Sequence, residues 1–169
     1  VHANNIACWD GTTWSTMNGG VNGTVRSMKL VGHDLYVGGY FQNAGGTSVS
    51  NIVKWDRTSW VSPGSGLPYI INNIELFQGV VYATGYLQNG SVTSISAYNG
   101  TTWDQGFSNF DGGIVNGIQA TDSVLLIYGN FNKLNGDTAY RIVSYNGTNF
   151  FTYPSRYYGI YSIALKNSS

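Results

Sequence analysis

Few residues in this chain of 169 are of the types that perform chemistry. There are two histidines, His2 and His33, one cysteine, Cys8, and eight carboxylates. His33 falls in the turn Gly32-His33-Asp34, and no serine or cysteine elbow is present to give it a proton to take. It reads as a solvated turn histidine. Most carboxylates also fall in turns, where aspartate bonds the local backbone, and their spacing fits neither a calcium loop nor a zinc site. Cys8 lies in the apolar run Ile6-Ala7-Cys8-Trp9, which predicts a buried, inert thiol. A single cysteine excludes an internal disulfide and leaves an intermolecular bridge as the alternative. The expectation is a protein that is not an enzyme, with no catalytic residue, no metal site and no cofactor.

The remaining reactive candidates are asparagines. Asn-x-Ser/Thr sequons stand at Asn22, Asn89, Asn99, Asn146 and Asn167. In so Asn- and Thr-rich a chain, that number is little more than composition supplies. Asn99 and Asn146 also have a structural reason to be asparagine, because each sits in a turn.

Those turns belong to a recurring stretch. Trp9-Asp10-Gly11-Thr12-Thr13-Trp14 returns as Trp55-Asp56-Arg57-Thr58-Ser59-Trp60, then Tyr98-Asn99-Gly100-Thr101-Thr102-Trp103, then Tyr145-Asn146-Gly147-Thr148-Asn149-Phe150. The interval is about 45 residues, the size of one unit in a solenoid or propeller array. Asp-Gly and Asn-Gly tolerate the positive φ of a tight turn, and the flanking aromatics suit two antiparallel strands packed between sheets. A carbohydrate-stacking role for Trp14, Trp60 and Trp103 is the sharper alternative; recurrence at one position favours packing.

A second motif sets the register. Leu35-Tyr36-Val37-Gly38-Gly39-Tyr40-Phe41 matches Val81–Leu87 and Leu125–Phe131, each rich in β-branched and aromatic residues and ending at a glycine. Upstream, Met28, Ile74, Ile118 and Ile163 coincide, as do Leu30, Leu76, Ala120 and Leu165. Between them Lys29, Glu75 and Gln119 complete a period-2 alternation, which turns these three toward one polar channel. They are the candidate ligand-facing set, although inner strands beside a wet channel need polar residues in any case. Each repeat therefore predicts four strands, as in Val25–Val31, Leu35–Phe41, Asn51–Trp55 and one starting at Trp60. No helical periodicity competes. The fold expected is all-β: a single propeller domain over 1–169 with four-stranded blades at about 25–60, 71–103 and 115–150, and partial blade strands at 1–16 and 157–169.

The phase implies an open blade that begins with its last two strands and ends on an inner one. Its unpaired edge would include Ile160, Ser162, Ile163 and Leu165, which are neither short-stranded nor charged. Either the chain is part of a longer propeller, or another copy supplies the pairing. Composition narrows the partners. With eight basic and eight acidic residues and no basic run, the chain lacks the cationic cluster that neutralises phosphates, so nucleic acid is excluded. No apolar segment reaches the length of a membrane span. Low charge with abundant Asn, Ser, Thr and Gly leans toward the extracellular space or cell surface.

The glycine doublet Gly38-Gly39, followed by Trp55-Asp56 and a closing Trp60, resembles the kelch-type blade. The fuller string, through Ala44-Gly45-Gly46 to Asn51-Ile52-Val53-Lys54-Trp55-Asp56, is closer to the kelch-like propellers of secreted bacterial proteins and fungal cortical markers. The resemblance covers essentially the whole chain, with its best copy at residues 23–60; only Gly85 and Gly129 survive from the doublet later. It implies the propeller fold and carries little about function, because propellers host adhesion, ligand binding and catalysis alike. Galactose-oxidase-like enzymes share such a propeller, but their copper chemistry needs histidines and a cross-linked cysteine that Cys8 has no constellation to match. The function expected is a non-catalytic extracellular scaffold or adhesion protein that self-assembles through open blade edges. A lectin-like glycan binder is the first alternative and an oxidase-like domain the second.

Overall fold

In a computed structural model the chain is described over residues 2–88, 93–104, 110–154 and 160–163. The described residues form an all-β molecule without helix. A hairpin comes first, of β1 (Ala7–Trp9) and β2 (Trp14–Thr16). β3 (Thr24–Val31) and β4 (Asp34–Tyr40) follow. A small hairpin of β5 (Asn43–Ala44) and β6 (Thr47–Ser48) then precedes β7 (Ile52–Trp55) and β8 (Trp60–Val61). The second repeat supplies β9 (Ile70–Phe77), β10 (Val80–Tyr86), β11 (Thr93–Tyr98) and β12 (Trp103–Asp104). The third supplies β13 (Phe110–Asp111), β14 (Val115–Ala120), β15 (Leu125–Gly129), β16 (Lys133–Leu134), β17 (Asp137–Thr138), β18 (Ile142–Tyr145) and β19 (Phe150–Thr152).

Three four-stranded antiparallel sheets result, with orders β3-β4-β7-β8, β9-β10-β11-β12 and β14-β15-β18-β19. Their strands agree closely with the four expected per repeat. The small hairpins are additional to that expectation: β5–β6, and β16–β17 with β13 added on its edge. Their turns are Gly45-Gly46 (φ 57° and 87°) and Asn135-Gly136 (φ 53° and 92°). Two successive positive φ values make the two-residue turn that closes a tight hairpin, so Asn135-Gly136 is a readable signal.

β3, β9 and β14 run side by side, so successive sheets meet along their first strands. The core is a series of junctions. Ile6 and Met17 of the opening segment pack on Val37, Phe41 and Trp60. Tyr36 and Ile52 of the first sheet pack on Ile71, Ile74 and Trp103. Phe77, Tyr82 and Ile95 of the second pack on Ile118 and Ile127 of the third.

One glycine per repeat is required by close approach. A Cβ on Gly39 would run into the carbonyl oxygen of Thr24, on Gly85 into that of Ile70, and on Gly129 into that of Ile114. Opposite each, the first strand bulges: register shifts between Val25 and Ser27, between Ile71 and Asn73, and between Val115 and Gly117. Gly38, the other half of the doublet, lies against Ile71 and Ile74 and is replaced by Thr84 and Tyr128 in the later sheets.

Candidate functional site

The four aromatic turns share one geometry. Trp9 and Trp14 face each other across the strands with ring centroids 5.2 Å apart, Trp55 and Trp60 at 4.9 Å, Tyr98 and Trp103 at 5.0 Å, and Tyr145 and Phe150 at 4.7 Å. In each turn one side-chain oxygen accepts two backbone N–H groups: Asp10 from Thr12 and Thr13, Asp56 from Thr58 and Ser59. Asn99 and Asn146 do the same from Thr101 and Thr102, and from Thr148 and Asn149. These donors hold the Asp10 and Asp56 carboxyls well below the usual carboxylate range, with the Thr13 backbone leading for Asp10 and the Thr58 hydroxyl for Asp56. The residue after the Asp or Asn has φ of 102° at Gly11, 82° at Arg57, 95° at Gly100 and 99° at Gly147. Arg57 thus occupies a glycine conformation, and its guanidinium meets His33 Nδ1 at 3.0 Å.

The closing tryptophans tie one repeat to the previous one. Trp60 Nε1 donates to Met17 O at 2.7 Å, and Trp103 Nε1 donates to Pro63 O at 2.8 Å; each acceptor lies just past the preceding closing tryptophan. Both rings are 8% exposed, whereas Trp14 is 58% exposed because no sheet precedes it among the described residues. The packing reading therefore describes Trp60 and Trp103, and the expected burial of Trp14 is corrected. Cys8 is corrected too. It is exposed, because the β1–β2 hairpin is two-stranded and no described strand lies across that face.

Two of the three channel candidates meet. Lys29 forms an ion pair with Glu75 across the junction of β3 and β9, while Gln119 stands half-buried at the matching place on β14. A second polar row goes beyond the expected one. The bulges turn out Arg26, Asn72 and Asn116. Arg26 Nη1 donates to Asn72 Oδ1 at 3.0 Å and its guanidinium lies 5.6 Å from the Tyr86 ring centroid. Ile74 N donates to Ser27 Oγ at 2.9 Å, and Ile118 N donates to Asn73 Oδ1 at 2.8 Å, so polar side chains also span both junctions. The signal is present in the sequence: Val25, Met28 and Leu30 do not keep strict alternation, and the odd step marks the bulge.

Other polar groups serve the scaffold. Lys54 bonds Asp34 at 2.8 Å, which raises the lysine pKa, and burial pushes the phenols of Tyr36 and Tyr82 upward. Of the sequons, Asn22 is exposed and its Oδ1 accepts the N–H groups of Gln42 and Asn43, both at 2.9 Å. Asn99 Nδ2 donates to Thr102 Oγ1 at 3.1 Å. Asn89, Asn167 and Leu165 lie outside the described residues.

The expected strand near the end is revised over its described part. Ile160–Ile163 belongs to no strand, since no ladder partner lies beside it among the described residues. Instead Ile160 N donates to Gly129 O at 2.8 Å and its carbonyl accepts Asn116 Nδ2 at 2.7 Å. Tyr161 is 77% exposed.

Among the described residues no group of three or more His, Cys, Asp or Glu is arranged to hold a metal ion, and no helix is long and apolar enough to cross a membrane. Comparison of the chain with family models, with curated proteins and with solved structures found no match.

Proposed function

We propose that the chain is a kelch-like repeat array whose sheets serve as propeller blades, and that it acts as a non-catalytic extracellular scaffold that assembles with further copies. One observation carries the reading. Contacts that repeat at both inter-sheet junctions leave their counterparts on the first sheet uncovered by any described residue. Ile74 and Ile118, at the same repeat position, are each 2% exposed, while Met28 is 54% and Leu30 61% exposed. Apolar groups exposed together mark an interaction surface. Several titratable groups support a non-catalytic role by being engaged in structure: Asp10 and Asp56 in turns, Lys29 with Glu75, Lys54 with Asp34, and His33 with Arg57. Asn22, Asn99 and Asn146 are the proposed glycan acceptors. Light scattering of the purified chain over a wide concentration range tests assembly; the expected result is a mass that rises above 18.3 kDa, and a constant monomer mass refutes it.

A second reading rests on Trp9 and Trp14, an exposed tilted pair of rings of the kind that stacks on sugar faces. A glycan array on which binding disappears in Trp14→Ala supports that reading, and no binding above background ends it.

A further inference from the structure

We propose that Arg26 and the polar side chains around it, at the junction of the first two sheets, form a binding site for a saccharide that carries a carboxylate, a uronic acid unit. The site goes beyond the assembly reading above and does not depend on it.

The strand bulges make the site. The extra residue in β3 and in β9 turns Arg26 and Asn72 out of the ladder at one repeat position, and Asn116 follows in β14. Of the three, Arg26 alone is charged. It is exposed, yet its guanidinium is held in one pose. Nη1 donates to Asn72 Oδ1 at 3.0 Å, and the group lies 5.6 Å from the Tyr86 ring centroid. Both contacts are to the second sheet, so the pose belongs to a junction whose two sides are described. No carboxylate among the described residues pairs with Arg26; the ion pairs there join Lys29 to Glu75 and Lys54 to Asp34. Its Nε and Nη2 likewise have no partner among the described residues. These two donors lie along one edge of the planar guanidinium and match the two oxygens of a carboxylate. An arginine already fixed in place loses little freedom when such a ligand binds.

The surroundings decide what carries the carboxylate. Tyr40 is 38% exposed at the end of β4, and its hydroxyl accepts Gln88 Nε2 at 3.3 Å. Gln88 follows Tyr86 by two residues, which places this pair close to the ring that holds Arg26. An exposed tyrosine face beside amides, each both donor and acceptor, suits a sugar ring and its hydroxyls. β4 and β10, which carry the tyrosines, are each paired on both sides, which leaves no open edge there for a peptide strand. One cation, rather than a cluster, suits one carboxylate and not a phosphate backbone.

The test titrates the full chain with short oligosaccharides of galacturonate, glucuronate and mannuronate by calorimetry. Their methyl esters, which keep the sugar and remove the charge, are the comparison. At least one free acid is expected to bind about tenfold tighter than its ester, with an affinity that falls as salt is added. Arg26→Gln and Arg26→Lys should each weaken that binding about tenfold or more, because neither offers the two-donor edge. Lys133→Gln, at an exposed cation on the small hairpin of the third repeat, should leave it unchanged. Far-ultraviolet circular dichroism checks that each variant stays folded. Absence of binding by all three acids, equal binding of the esters, or undiminished binding by folded Arg26→Gln overturns the proposal. Equal or tighter binding of a glutamate-rich peptide, lost in Arg26→Gln, overturns the saccharide assignment. A chain that is monomeric at every concentration removes the assembly reading, whereas the calorimetry decides this one by itself.

Discussion

At the scale of single residues, the turns show how one geometry accepts two chemistries. Asp10 and Asp56 fill the place that Asn99 and Asn146 fill in the other repeats, and all four accept the same two backbone N–H groups. The amide does not titrate; the carboxylate does. Because the folded-state pKa of Asp10 and Asp56 is depressed, their contribution is present above the unfolded aspartate value of about 3.9 and is lost as pH falls below it. Asp10→Asn with Asp56→Asn is therefore expected to flatten the decline of Tm between about pH 4 and pH 2 relative to the parent, followed by circular dichroism. An unchanged slope would show that these caps contribute nothing to acid stability. The same turns limit what sequons can say, since Asn99 and Asn146 serve as acceptors whether or not a glycan is attached.

At the scale of elements, the closing tryptophan joins one sheet to the loop before it. Trp60→Phe and Trp103→Phe each remove an indole donor from a buried site, leaving Met17 O or Pro63 O without that partner. Each is expected to cost about 1–3 kcal/mol in denaturant unfolding. Trp14→Phe, at a ring 58% exposed, should change stability by about 0.5 kcal/mol or less. Equal losses at all three positions would contradict the packing role of Trp60 and Trp103. The strand pattern was legible because four-stranded sheets repeat with the same glycine, and that glycine is held by a contact local to two neighbouring strands. The bulge residues Arg26, Asn72 and Asn116 were harder to see, because period-2 reasoning treats the odd step between Val25 and Met28 as noise.

At the scale of the whole molecule, stability is distributed over junctions, each made of one sheet's face and the next sheet's first strand. Such an array resists substitution according to whether a neighbour is present. Ile74→Ala, at a filled junction, should cost about 2–5 kcal/mol. Met28→Ala, at the uncovered counterpart, should cost about 1 kcal/mol or less in the dissociated chain. If assembly covers Met28, the difference between the two should narrow as protein concentration rises. Hydrogen exchange would report the same hierarchy, with slowest exchange in β9 and β10, which have a sheet on either side.

The sequence alone determined the repeat, the strands and the turn chemistry, because each depends on residues close together along the chain or on one ladder. Alternation, glycine at a close approach and an acceptor at a turn are local requirements that leave a direct mark on residue type. That Trp60 is buried while Trp14 is not, that Cys8 is exposed, and that Lys29 meets Glu75 follow from how the sheets pack. Those outcomes depend on whether a second sheet stands across the junction, and identical motifs carry no mark of the neighbour they face. The same reason leaves Met28 and Leu30 exposed among the described residues where Ile74 and Ile118 are buried.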